Sequence, residues 1–268
     1  MLKDITLGQY FPGNSIAHKL DPRTKILLVT LYIIALFSAK GWMGYAVMAV
    51  TLAACVKVSH VGLRALVRGL KPLVFIIAFT GILNMFFTPD THYLWEWGIL
   101  RVSVKGIENA LFMVIRIMLL VMGTFLMTYT TSPISLTDGL ESLLNPLKKI
   151  HVPVHELAMM MSIALRFIPT LIEETDKIMS AQKARGADFD SGNIFQKAKA
   201  LVPILVPLFI SAFRRADELA TAMECRCYHG GEGRTKLHVL KYQRRDYVAL
   251  AGGAVILVLV VALRRLGA

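Results

Sequence analysis

The sequence predicts an all-α polytopic membrane protein, and three observations carry that fold class. Apolar residues make up 55% of the 268 positions and charged ones 18%, with a mean hydropathy of +0.57. That balance suits a bilayer better than water. Five runs carry no charge, at 26–39, 41–56, 72–89, 117–137 and 247–263. Between the fourth and fifth runs, more than a hundred residues show amphipathic helical spacing instead. The expectation is about five transmembrane helices plus two long amphipathic helices on the cytoplasmic side.

The first 25 residues carry Lys3, Asp4, Lys19, Asp21, Arg23 and Lys25 and no apolar stretch typical of a cleaved leader. The first apolar run is therefore expected to remain as a span. It has 14 residues and the second has 16, short of the roughly 20 needed to cross about 30 Å of hydrocarbon. Lys25, Lys40 and Lys57 flank these runs and are expected to snorkel and lengthen them. Lys40-Gly41-Trp42 reads as a tight hairpin tip, with Trp42 in the interfacial aromatic belt. The fourth span should start near Ile107, which places Arg116 inside it. An ionisable residue at that depth is a functional candidate by default, but the preferred reading has Arg116 snorkelling to the nearby outer surface.

With the N-terminus inside, segments 1–25, 57–71 and 133–245 hold 24 of the 30 Lys and Arg residues. This is the positive-inside bias, although Arg264 and Arg265 in an outward tail run against it. The net charge of +12 is then a matter of topology, and no nucleic-acid partner is expected. Three regions follow: 1–131 with four spans, 132–244 as the cytoplasmic helical region, and 245–268 with the last span.

Within the middle region, Ser132-Pro133 is a helix-start signal. Leu140, Leu143, Leu144 and Leu147 then mark one face of a short interfacial helix, limited by Pro146. A long helix over 154–185 follows, with Leu157, Met160, Met161, Ala164, Ile168, Leu171, Ile172 and Thr175 at helical spacing. Its polar face offers Glu173 and Lys177 as an i,i+4 pair. A second long helix covers 193–228, with an uncharged middle at 200–213 and an Arg214–Glu218 pair beyond it. Gly230, Gly231 and Gly233 break the chain before the last span.

The two long helices end alike. Ala184-Arg185-Gly186 closes the first and Cys225-Arg226-Cys227 the second, 41 residues later; the same offset pairs Asp176 with Asp217 and Ala181 with Ala222. A cation at a helix C-terminus gains roughly 0.3–1 kcal/mol from the unpaired carbonyls, which alone would explain one arginine. Recurrence at a fixed offset points further, to two guanidinium forks entering acidic sockets on a partner. Cys227 reaches a left-handed cap less cheaply than Gly186 does, so the second tip is expected to end differently, near Gly230.

These motifs resemble those of the transmembrane T component of energy-coupling factor (ECF) transporters, a branch of the ATP-binding-cassette importers. The opening Ile5-Thr6-Leu7-Gly8-Gln9-Tyr10-Phe11-Pro12-Gly13 and the following His18-Lys19-Leu20-Asp21-Pro22-Arg23-Thr24-Lys25 are similar to the family's N-terminal signature. Ala184-Arg185-Gly186 matches its motif at the tip of one coupling helix, and Cys225-Arg226-Cys227 takes the second place but keeps only the arginine. The resemblance implies a multi-pass protein of the prokaryotic cell membrane, with coupling helices in the cytoplasm. Two cytoplasmic ATPase subunits, identical or different, would receive Arg185 and Arg226 in grooves. A small membrane S component would capture the substrate and rest on the helices' apolar faces, where Met159, Met160 and Met161 form an adaptable patch. The signature looks closer to shared modules serving vitamin-specific partners than to the cobalt or nickel type.

Other classes find little support. The sequence contains no G-x-x-x-x-G-K-[ST], H-E-x-x-H or G-x-S-x-G, so neither catalysis nor a cofactor is expected of this chain. One rival is a conventional permease that forms the pathway itself. Another is a membrane enzyme with a metal held by Cys225, Cys227, His229 and His238. The C-x-C spacing is short for a structural zinc and no second cysteine pair exists, so no metal is expected.

Overall fold

The computed structural model describes residues 10–88, 93–97, 100–187, 189, 193–230 and 239–266. Residues 5–9 of the N-terminal signature, His92, Gly231, Gly233 and His238 lie outside these. The described helices are α1 (Pro22–Ser38), α2 (Gly41–Ser59), α3 (Leu63–Leu70), α4 (Val74–Phe87), α5 (Val104–Thr130), α6 (Pro133–Leu144), α7 (Val154–Ala184), α8 (Ile194–Cys225) and α9 (Arg244–Leu266). Five segments are long and apolar enough to cross a membrane: α2, Leu63–Phe87 (α3 through α4), α5, α7 and α9. The set differs from the sequence expectation at two places. Helix α1 has 17 residues, about 25 Å at 1.5 Å per residue, and falls just short. Helix α7 qualifies because residues 157–165 carry no charge.

The all-α class holds apart from one small antiparallel hairpin between α4 and α5, with β1 (Tyr93–Trp97) paired to β2 (Leu100–Ser103). Aromatic residues in β1 and Leu100, Val102 in β2 suit a pleated pair. Ser103 then caps α5, its Oγ accepting from the Gly106 N–H at 2.9 Å.

The chain divides into two compact units, one over Glu141–Val239 and the other over Gly8–Leu140 with Leu240–Ala268. The second unit is a bundle whose buried centre includes Leu36, Met48, Leu66, Leu119 and Val260, from α1, α2, α3, α5 and α9. Small residues let its helices close up, as lipid-embedded packing demands. A Cβ on Gly123 would stand 2.5 Å from the Tyr32 ring, and the Tyr32 hydroxyl donates to the Leu119 carbonyl at 2.9 Å.

A polar knot fastens the Pro22 end of this bundle. Asp21 caps α1 by accepting from the Arg23 N–H at 2.9 Å, with Pro22 at the first helical position. Its own N–H donates to Asp246 Oδ1 at 2.9 Å, while Asp246 Oδ2 accepts from the Gln243 N–H at 2.7 Å. Arg23 pairs with Asp21 at 2.9 Å and lies 4.1 Å from the centre of the Tyr242 ring. His18 bridges Ser15 Oγ at 2.6 Å and the Phe11 carbonyl at 2.9 Å.

Lys25 corrects the snorkelling expectation. Only 7% exposed, it turns inward and donates to the Thr130 carbonyl at 2.8 Å and Thr131 Oγ1 at 3.2 Å. There it pairs the Thr130 carbonyl at the end of α5, which offsets part of the cost of leaving water. Burial pushes its pKa down to about 8, against the pull of Asp21 and Asp246. Below pH 8 the folded chain bears the full cost of a buried ammonium. Between pH 8 and the ordinary lysine pKa of 10.5 the folded state loses its proton first, so stability rises with pH across that window, by up to about 3 kcal/mol. Thermal melts of wild type and Lys25→Gln from pH 7 to 10 check this: the rise belongs to wild type, and equal slopes would remove it.

Candidate partner-docking site

Helices α7 and α8 form the long arms of the Glu141–Val239 unit. Neither expected intrahelical pair, Glu173–Lys177 or Arg214–Glu218, closes to ion-pair distance. The arms are pinned to each other instead. Glu174 Oε2 accepts from Arg215 Nη2 at 3.0 Å, and its Oε1 accepts from the Ser211 hydroxyl. Arg215 also lies 5.6 Å from the centre of the Phe167 ring. Gln182 Nε2 donates to the Pro203 carbonyl at 3.3 Å. Rising numbers on α7 meet falling numbers on α8, so the arms run antiparallel. No spacing in the sequence announces this pin: contacts between antiparallel helices differ in offset, 41 residues for Glu174–Arg215 but 21 for Gln182–Pro203.

Arg185 stands 11 residues beyond Glu174, and Arg226 stands 11 beyond Arg215. At 1.5 Å per residue each guanidinium sits about 16 Å out from the pin along its own arm, on opposite sides. Both tips are exposed.

Three cap bonds recur at the two helix ends, and Arg185 N–H makes a further bond to Ala181 O at 3.2 Å that α8 does not repeat among the described residues. On α7, Arg185 N–H donates to Gln182 O at 3.1 Å, Gly186 N–H to Lys183 O at 3.0 Å and Ala187 N–H to Gln182 O at 3.0 Å. On α8, Arg226 N–H donates to Met223 O at 3.1 Å, Cys227 N–H to Glu224 O at 2.8 Å and Tyr228 N–H to Met223 O at 3.0 Å. Each acceptor and donor moves by 41. The expectation that the second tip ends near Gly230 is therefore corrected: Cys227 takes the left-handed position at φ 55°, as Gly186 does at φ 86°. Pairing the last carbonyls outweighs the roughly 1 kcal/mol that a side chain costs there.

That strain gives a prediction. Cys227→Gly should keep the cap and stabilise the arm by about 0.5–1 kcal/mol, whereas Gly186→Val should cost 1–2 kcal/mol or more. Hydrogen-exchange protection of the last turn of each arm reads both, and destabilisation by Cys227→Gly would contradict the cap. Cys225 and Cys227 are exposed free thiols, and His238, their suggested co-ligand, is outside the described residues.

Around the arms the surface is apolar. Leu157, Met160 and Met161 on α7 and Leu205, Phe209 and Phe213 on α8 are all exposed. Only Val154 and Ile204 are buried among the described side chains of the two arms. Exposed apolar area on this scale marks a surface meant for lipid or for other proteins.

Five segments long and apolar enough to cross a membrane put the chain in the class of multi-pass membrane proteins. A family profile described as cobalt transport protein (CbiQ) matches residues 13–237. Energy-coupling factor transporter transmembrane protein EcfT of Ruminiclostridium cellulolyticum is 55% identical over 246 residues, 92% of each chain. The EcfT of Clostridium kluyveri is 56% identical over 250 residues, 93% of each chain, and that of Bacillus subtilis 46% over 264, 98% of this chain and all of that one. The chain belongs to the family of energy-coupling factor transporter transmembrane proteins.

Proposed function

We propose that this chain transmits ATP hydrolysis on two cytoplasmic ATP-binding-cassette subunits to a small substrate-binding S component in the membrane. The observation that carries this reading is the recurrence, 41 residues apart, of an exposed arginine in a cap with the same three backbone bonds. One arm would present Ala184, Arg185 and Gly186 to the first ATPase, and the other Cys225, Arg226 and Cys227 to the second. A guanidinium fork suits an acidic groove because it can bind carboxylate oxygens two at a time. Region 132–244 would be the coupling region, with 1–131 and 245–268 its anchors in the bilayer. The N-terminus and the arms would face the cytoplasm, in keeping with the distribution of Lys and Arg.

The exposed apolar faces of α7 and α8 would seat the S component, the methionines supplying an adaptable surface. The cargo would be a vitamin or a related micronutrient, a class supported by the likeness of residues 5–13 and 18–25 to the signature of shared modules. Chemistry would rest on the ATPases, and this chain would act as scaffold and transducer.

Affinity capture of the tagged chain from mild detergent, with mass spectrometry of what is retained, tests the proposal. Two ATPase subunits per chain, with small dissimilar membrane proteins, is the expected result. Recovery of two copies of the chain per ATPase pair would favour a permease instead.

A further inference from the structure

Arg116 lies within α5 and is one charged group the docking role leaves unused. Its guanidinium donates to the Tyr45 hydroxyl through Nε at 2.9 Å and Nη2 at 2.5 Å. Its carbon stands 5.7 Å from the Tyr45 ring centre and 5.8 Å from that of Phe37. Among the described residues no carboxylate comes within ion-pair distance of it. The sequence expectation of a cation reaching freely for water needs amending, since Tyr45 holds the head in place.

The donor inventory decides what the group can bind. Arginine has five N–H donors and no acceptor, and two of them are engaged by Tyr45. The Tyr45 oxygen accepts both, which leaves its own O–H proton without an acceptor among the described residues. What remains at this spot is guanidinium N–H and phenol O–H, donors only, next to an uncompensated positive charge. An anion both accepts from such a set and balances its charge.

Position selects the anion. Phe37 is next to the last residue of α1, and Tyr45 lies on the first turn or so of α2, about 6 Å from the tip of the α1–α2 hairpin at 1.5 Å per residue. Trp42 is 57% exposed and packs 4.9 Å from Phe112, itself one turn from Arg116. Lys40 at the tip is exposed as well. An exposed tryptophan and a lysine at the hairpin tip place the tethered guanidinium about one helical turn, roughly 6 Å, inside the interfacial belt, within reach of a lipid phosphate drawn down to it. Phe37, 59% exposed, supplies an apolar wall on which acyl chains can lie.

We propose that Arg116 and Tyr45 form a binding site for the phosphodiester of one anionic phospholipid, in the leaflet at the Lys40–Gly41 end of the bundle. Planar N–H pairs suit two phosphate oxygens, and buried Tyr45, 4% exposed, holds the guanidinium in position for them. A net anionic headgroup such as phosphatidylglycerol is preferred because the ammonium of a zwitterionic lipid competes for the same phosphate.

Native mass spectrometry of the purified chain, titrated with phosphatidylglycerol or phosphatidylcholine in mixed micelles, tests this. Wild type should hold one phosphatidylglycerol at least tenfold more tightly than phosphatidylcholine. Arg116→Met should lose that preference, and Arg116→Lys should keep part of it, having charge without the fork. Tyr45→Phe keeps the ring packing and should weaken binding several-fold, which decides the matter if Arg116→Met does not fold. Millimolar inorganic phosphate should not displace the lipid. Equal lipid binding by wild type and Tyr45→Phe, or displacement by free phosphate, would overturn the proposal.

Discussion

Alanine at both Arg185 and Arg226 is expected to abolish ATP-driven uptake while the chain still inserts at its normal level. The caps are built from backbone N–H groups and carbonyls, so removing the guanidinium groups costs each helix only about 0.3–1 kcal/mol. A charge-assisted fork in an acidic groove contributes more, about 1.5–3 kcal/mol per contact. Each single substitution should therefore weaken ATPase docking roughly 10- to 100-fold. The double substitution leaves neither arm engaged. Arginine-to-lysine changes should fall between, since an ammonium lacks the planar pair of donors. Uptake by proteoliposomes containing the full complex, alongside co-elution of the ATPases, reads the effect. Normal uptake by the double variant would sink the coupling role, because no other feature of the arms is repeated so closely.

The second large effect belongs to Asp246. It is 1% exposed and accepts from the backbone N–H groups of Asp21 and Gln243. Asp246→Ala leaves the buried Asp21 N–H unpaired, at about 1–3 kcal/mol, while the N–H of exposed Gln243 can turn to water; it also removes a tie between the start of α9 and the start of α1. Loss of about 2–3 kcal/mol is expected, a large share of the stability of a marginal bundle. Asp246→Asn offers one acceptor oxygen in place of two and should lose roughly half as much. Thermal unfolding in detergent, followed by tryptophan fluorescence, measures both. A melt unchanged from wild type would mean that the knot is incidental to the bundle.

The features that could be read from the sequence were those written in local pattern. The end of α7 follows from periodicity, an arginine and a closing glycine; for α8 periodicity and the arginine bring the end to within three residues of 228, although its left-handed cap falls on Cys227 and not near Gly230. Ser132 was expected to begin α6 and does so, its hydroxyl accepting from the Ser135 N–H at 3.2 Å. What escaped were contacts made across the chain. Asp246 reaches Asp21 over 225 residues and Lys25 reaches Thr130 over 105, and no spacing rule links such positions. Cys227 escaped for a different reason. Propensity ranks cysteine poorly in left-handed backbone, but the cap is set by carbonyls that must be paired, and that demand does not show in the residue's own preference. The β1–β2 hairpin is too short to stand out among aromatic residues that would equally suit an interfacial loop.

The scarcity of buried side chains in α7 and α8 bears on the life of the protein in the cell. With only Val154 and Ile204 covered among their described side chains, the arms gain little from their own packing. If partners supply the missing contacts, their binding free energy becomes part of the arms' stability by mass action. A copy made in excess of its partners would then be an orphan subunit, its arms opening often enough for proteases to find them. The abundance of this chain would follow that of the subunits it joins, and stoichiometric balance would be kept by turnover as well as by synthesis.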